Sequence, residues 1–254
     1  MHVAITGAAG KVGRVAVDAF DRDELTLLTH REHEEMDSDL LDATDREAFV
    51  DALDGVDALV HLAWVTEDGS EWGEGGEEAN LRIVANAMAA ARENDLDRVV
   101  VASSAHVHGM YNRDDPSAFE STVESPTTVV DTEAPPRPDS HYGVAKVATE
   151  ALCSYTADRY DLEVVVVRIG WLLSREGLRD LGPEPADRHR FARAMWLSHR
   201  DCRALLRAAV RTPIDGSPVV AHGISANGDR YLSLTETMQR LEYRPRDDSA
   251  DVLD

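Results

Sequence analysis

Residues 1–20 read MHVAITGAAGKVGRVAVDAF, and the fold turns on how the middle of that run is read. HVAITG is a short apolar strand. It breaks at GAAGKVG, and RVAVDAF continues with apolar residues at helical spacing. Gly7, Gly10 and Gly13 therefore sit between a strand and a helix. Glycine there lets the backbone approach a phosphate, and the helix N-terminus favours its negative charge. A tight structural turn is the plainer reading of three spaced glycines. Their place at the first strand–helix junction points instead to a dinucleotide pyrophosphate. The candidate contacts are Gly7, Ala9, Gly10, Lys11, Val12 and Gly13, with Lys11 and Arg14 adding positive charge at the phosphate edge.

Outward from this loop the pattern repeats. LTLLT (25–29), DALVHLAW (57–64), RVVVASSA (98–105) and LEVVVVRIG (162–170) read as strands, the last apolar throughout, as expected of a strand buried on both faces. Residues 45–53, 77–94 and 140–160 read as helices. Alternating strands and helices imply an α/β, Rossmann-type, doubly wound parallel sheet. Residues 1–170 form the expected dinucleotide-binding domain. Residues 171–254 form a small, dependent C-terminal substrate-capping region, and segments 111–139 and 174–191 are expected to be surface loops.

Composition narrows the function. The net charge is −22, spread along the chain, with 24 arginines and only two lysines, Lys11 and Lys146. A surface this acidic disfavours nucleic acid and anionic membrane as partners. It fits the cytoplasm of a halophilic archaeon, where salt screens self-repulsion; an acidic binding surface for a basic partner is the other reading. No apolar run has the length of a membrane span, and the first residues lack the pattern of a signal peptide. Two cysteines make no disulfide framework, and no metal-ligand spacing is present, so no metal is expected.

The second lysine closes YGVAK. Tyr142 and Lys146 lie four apart, one turn apart on one helical face. An ammonium beside a phenol favours the phenolate, which makes Tyr142 a candidate general base for an alcohol losing a hydride. At the end of the second strand, an acid would bind the ribose 2′-hydroxyl of NAD. Thr29 stands there, followed by His30 and Arg31, and this favours NADP over NAD. The competing reading leaves His30 and Arg31 in solvent and bends Asp37 or Asp39 back to the ribose.

TGAAGKVG, HLA, ASSAHVHG and YGVAK occur in the order found in the extended short-chain dehydrogenases/reductases, and over roughly residues 1–170 the chain resembles that family. The resemblance implies Ser104, Tyr142 and Lys146 as the catalytic set. It also implies Leu62, Ala63, Asn80, Ser103 and Ile169 along the cofactor, and Asp42 (or Asp39) at the adenine. SSAH, YGVAKVATE, AMWLSHRDC and VVAHGISAN extend the likeness to the uronate dehydrogenases and related haloarchaeal sugar dehydrogenases. Oxidation of the C1 hydroxyl of a cyclic sugar (aldose, uronate or sugar phosphate) to a lactone is then expected, in a homo-oligomer, dimer or tetramer. His106, Arg193 and Trp196 are the implied substrate contacts beside Ser104 and Tyr142. Ser198 and Arg200 are further candidates for the sugar pocket, and Trp64 or Trp72 could stack on the sugar. His108 and His141 read as structural.

Three departures bear on the sugar. Ala105 replaces an asparagine, Trp64 replaces a small residue, and Phe191 takes a position where the relatives carry an anion-clamping arginine, bracketed by Arg190 and Arg193. Two rival functions remain: a nucleotide-sugar epimerase or dehydratase using the same triad, and a non-catalytic NADP(H)-sensing protein.

Overall fold

The computed structural model describes residues 1–65, 72, 74, 76–117 and 120–254. Strands β1 (His2–Thr6), β2 (Glu24–Thr29), β3 (Asp39–Leu40), β4 (Ala58–His61), β5 (Arg98–Ser104), β6 (Val164–Ile169) and β9 (Val219–Gly223) form one sheet, ordered β3-β2-β1-β4-β5-β6-β9. Every pairing in it is parallel. A parallel sheet needs both faces covered, and β6, expected to be fully buried, shows only its last residue partly exposed. Two apolar clusters do the covering, one on Phe20, Val165 and Leu205, the other on Phe49, Met88 and Val166. Val165 and Val166 thus face opposite layers, as period-two alternation requires.

The order of strands reverses at β1, which β2 flanks on one side and β4 on the other. A crevice at such a switch point, outside the carboxyl ends of the strands, is where ligands bind. Helix α1 (Lys11–Ala19) leaves from that end of β1. Helix α2 (Arg46–Ala52) is capped by Asp45, whose carboxylate accepts from the amides of Glu47 and Ala48, a bond set worth about 1 kcal/mol. Helix α3 (Glu77–Glu93) packs on α4 (His141–Tyr160).

The C-terminal third departs from its expected form. Segment 174–191, read as loop, holds α5 (Arg175–Asp180) and the first part of α6 (Ala186–Met195). Ser174 caps α5 through the Gly177 amide at 2.9 Å. The short strands β7 (Trp171–Leu172) and β8 (Trp196–Leu197) pair beside them. Residues 199–223 do more than cap: helix α7 (His199–Arg211) packs on α1, and β9 completes the main sheet. Helices α8 (Thr235–Leu241) and α9 (Ala250–Leu253) close the chain. Among the described residues no helix is long and apolar enough to cross a membrane.

Candidate active site

The glycine loop is shaped as a phosphate cradle. Gly7 adopts φ +67, and a Cβ there would meet the Ala63 amide nitrogen at 2.9 Å; a Cβ on Gly13 would stand 2.2 Å from the Gly7 carbonyl oxygen. Only glycine fits both places. Gly10 is the N-cap of α1 and supplies no side-chain cap, which leaves first-turn amides for an anion. The exposed Lys11 lies in that turn, with Ala9 and Val12 along the loop. Across the crevice, the Thr6 hydroxyl accepts from the amides of Leu62 (3.1 Å) and Ala63 (3.2 Å), fixing the end of β4 against the loop. Residues Gly7 to Gly13, Leu62 and Ala63 thus share the surface predicted for the pyrophosphate.

The second strand ends at Thr29, as read from the sequence. Its hydroxyl donates to the Arg31 carbonyl (2.9 Å) and pairs with Ser38 (2.8 Å). His30 and Arg31 are exposed just beyond it. Asp42 accepts from the Thr44 hydroxyl at 2.7 Å and the Thr44 amide at 2.9 Å, and these bonds hold its carboxyl below the usual range.

Ser104 ends β5, and its hydroxyl accepts from the His106 amide (3.2 Å), capping a 3₁₀ turn at Ala105–His108. Helix α4 begins beside this turn. Ser140 caps it through the Gly143 amide (3.0 Å), and a Cβ on Gly143 would stand 2.8 Å from the His106 carbonyl, so helix and turn touch. That contact brings Tyr142, in the first turn of α4, close enough to Ser104 for the serine hydroxyl to lower its pKa. Lys146, one turn on, is buried; its Nζ donates to the Ala102 carbonyl at 2.9 Å and stands 3.3 Å over the Trp64 ring and 5.5 Å from the Tyr142 ring centroid. The structure therefore gathers the predicted Ser104, Tyr142 and Lys146 at one place.

Burial shifts Tyr142 and Lys146 in opposite directions. Desolvation raises the Tyr142 pKa above the ordinary phenol value; the Ser104 hydroxyl opposes this, and Asp139 adds to it. Desolvation also lowers Lys146 to about 7, against the pull of Cys153 and Glu150.

Two predicted cofactor contacts are committed elsewhere. Asn80 is fully buried and grips Val65 at both ends, accepting from its amide (2.7 Å) and donating to its carbonyl (2.8 Å). It steadies the chain after Trp64 rather than facing the crevice. The Ser103 hydroxyl donates to Glu150 (2.5 Å), which also takes both ends of Arg168. Ile169, at the end of β6, packs partly buried against the core.

The substrate side differs more from expectation. His106 lies where predicted, its ring 5.7 Å from that of Tyr142 and its Nδ1 2.8 Å from Asp139. Asp139 is itself buried and bonded to Arg113 and Ser140. Burial pushes its carboxyl up, but those partners hold it below the usual value. Arg193, expected at the sugar, is bound by Asp229 (2.5 Å) and Asp254 (2.7 Å). It lines a cavity of ≈ 350 Å³ with Arg190, Thr122 and Tyr231, and none of the triad lines that cavity. Trp196, also expected there, has 0% exposure, packs with Leu178 and Ala192, and donates its indole N–H to the Leu173 carbonyl. It is core, because α5, α6 and α9 close an apolar cluster over it with Leu178, Ala192 and Val252. Ser198 caps α7, and Arg200 pairs with Asp247 at the surface. His108 is buried against Ala134, and burial lowers it to about 4; His141 is exposed, its ring 6.0 Å from that of Trp72.

Sequence reasoning missed Asp139, Glu150, Arg168 and Trp171. Glu150 carried a signal: it follows Lys146 by one more turn on the same face. Trp171 carried none. It meets Phe191 at 5.8 Å, and Phe191 in turn meets His106 at 6.3 Å. Among the described residues no group of three His, Cys, Asp or Glu could hold a metal.

Comparison with known proteins places this geometry. Over its full length the chain is 47% identical to the L-arabinose 1-dehydrogenase (NAD(P)(+)) of Haloferax volcanii, covering 99% of that protein. It is 32% identical to the NAD-dependent glucose-6-phosphate dehydrogenase of the same organism, over 98% of this chain and 94% of that one. Among solved structures, glucuronic acid dehydrogenase from Chromohalobacter salexigens superposes with a TM-score of 0.76 at 30% identity, over 98% of this chain and 85% of that one. Residues 3–197 match the NAD dependent epimerase/dehydratase family, and the chain belongs to that family.

Proposed function

We propose that this protein oxidises the C1 hydroxyl of a neutral cyclic pentose, of the L-arabinose type, to the lactone, with NADP or NAD as the hydride acceptor. One observation carries the choice of a neutral sugar. The side chain of α6 that turns toward His106 is Phe191, while every arginine of that helix is engaged: Arg188 with Glu120, Arg190 with the Thr122 carbonyl and Asp114, Arg193 with Asp229 and Asp254. A carboxylate or phosphate on the sugar would find no opposing charge from α6 and would be costly to desolvate. The 47% identity to an L-arabinose 1-dehydrogenase supports the same reading.

The cradle at Gly7–Gly13 fits a dinucleotide pyrophosphate, and bound there the nicotinamide supplies the site that accepts hydride. The chain's own residues do the rest. Ser104 bonds the C1 hydroxyl and carries developing charge on its oxygen. Tyr142, as the phenolate that the Lys146 ammonium and the positive charge of an oxidised nicotinamide would favour, takes the hydroxyl proton as the C1–H bonding pair departs and the C1=O bond forms. Lys146, one turn from Tyr142, would bond the nicotinamide ribose and, when protonated, favour the phenolate. His106, fixed by Asp139, borders the sugar. Arg14 of α1 and Arg31, just past the end of β2, support use of NADP, the acidic surface supports a cytoplasmic enzyme of a halophilic archaeon, and likeness to the family supports a homo-oligomer.

The test follows nicotinamide reduction in high-salt buffer with L-arabinose, xylose, galactose, glucuronate and glucose 6-phosphate, each with NADP and with NAD. The proposal expects L-arabinose to lead in kcat/KM and both anionic sugars to trail. A lead by glucuronate or glucose 6-phosphate would overturn it.

A further inference from the structure

Beside the glycine loop lies a second cavity, ≈ 400 Å³, lined by Arg14, Arg31, Glu32, His33, Glu34 and Glu35. It stands at the end of β2, where a ribose 2′-substituent is received in this kind of sheet. Two guanidiniums there face three carboxylates, one net negative charge. Arg14 is held from both sides: its Nε donates to the Ala9 carbonyl of the glycine loop at 3.3 Å, and its Nη1 lies 3.6 Å from the Glu35 carboxylate.

The segment carrying Glu35 is closed by its own bonds. The Thr29 hydroxyl ties the Arg31 carbonyl to the Ser38 hydroxyl, and the Met36 amide donates to the His33 carbonyl at 3.1 Å. Glu34 and Glu35 therefore occupy the corner of a tight turn, which folds Glu35 back toward α1. We propose that Glu35 is a specificity-determining residue, an internal anion that occupies Arg14 in place of a 2′-phosphate and so holds the enzyme between NADP and NAD. This rests on the assignment of the cavity to the adenosine ribose, and through it on the dinucleotide reading above. A 2′-phosphate must take Arg14 from Glu35, whereas a 2′-hydroxyl need not. Glu35 then weakens NADP(H) selectively.

The test is fluorescence titration of the full-length protein with NADPH and with NADH, with no sugar present, at one fixed KCl concentration. A failure of the sugar assignment therefore leaves this result untouched. Glu35→Gln is expected to tighten NADPH about fivefold, the upper range for one exposed ion pair, with NADH changed less than about twofold. Glu176→Gln, on α5, alters the net charge equally and is expected to change neither. In an Arg14→Gln background the gain from Glu35→Gln is expected to vanish. Equal tightening of both cofactors, an equal gain from Glu176→Gln, or a gain that persists without Arg14 would each overturn the proposal.

Discussion

The wall of the crevice built by β5 and α4 and the wall built by α6 obey different rules. On the first, Ser104, Tyr142 and Lys146 sit on a strand end and on one helical turn, and their meeting follows from element geometry. On the second, Arg190 and Arg193 flank Phe191 in sequence, yet the guanidiniums go to Thr122, Asp114, Asp229 and Asp254, and the phenyl ring goes to His106. Chemistry is thus set by periodic spacing within elements. On the proposed reading, recognition of the sugar depends on the distant acids that engage the α6 arginines.

The most severe way to break the comparison is on the first wall. Tyr142→Phe keeps the ring that packs on Trp64 and removes the acid–base group, so kcat is expected to fall by about 10²–10⁴-fold with NADH affinity changed less than about twofold. A kcat within tenfold of wild type would show that another group takes the proton.

A smaller effect sharpens the electrostatics of the same wall. Lys146 has a folded pKa of about 7, below an unfolded value of roughly 10.4. Below pH 7 both states are protonated, and the fold bears an ammonium stripped of water. As pH rises from 7 toward 10 the unfolded chain keeps the proton that the fold has lost, and the penalty fades. Lys146→Met is therefore expected to raise Tm more at pH 6 than at pH 9.5, measured against wild type at each pH. An equal difference at the two values would mean that Lys146 is not desolvated.

Much of the fold was readable from 1–170, since glycine punctuation and apolar strands are local signals. Thr29 ends β2 as expected for the same reason. The Tyr142–Lys146 pair was legible because four-residue spacing on a helix is a distance, whereas Ser104 came from the resemblance alone. Trp196 misled because a tryptophan in a sugar-enzyme motif reads equally as platform or core, and only the packing of α5, α6 and α9 over it places it inside. Arg193 misled because its partners, Asp229 and Asp254, lie 36 and 61 residues away. Ser103 and Asn80 were read as cofactor contacts from motif position alone. Their buried bonds to Glu150 and Val65 depend on α4 and the β4 loop docking together. The place of β9 beside β6 is a long-range pairing that no local pattern encodes.

The central claim is that the substrate is neutral because Phe191, rather than a cation, faces the reacting end of the site. The direct measurement is the ratio of kcat/KM for L-arabinose to that for glucuronate, in wild type and in Phe191→Arg. The account predicts a ratio well above one in wild type. It predicts a fall on the order of tenfold or more in the variant, the scale of one charge-assisted bond to a carboxylate. A wild-type ratio below one, or a ratio that Phe191→Arg leaves unmoved, would contradict it.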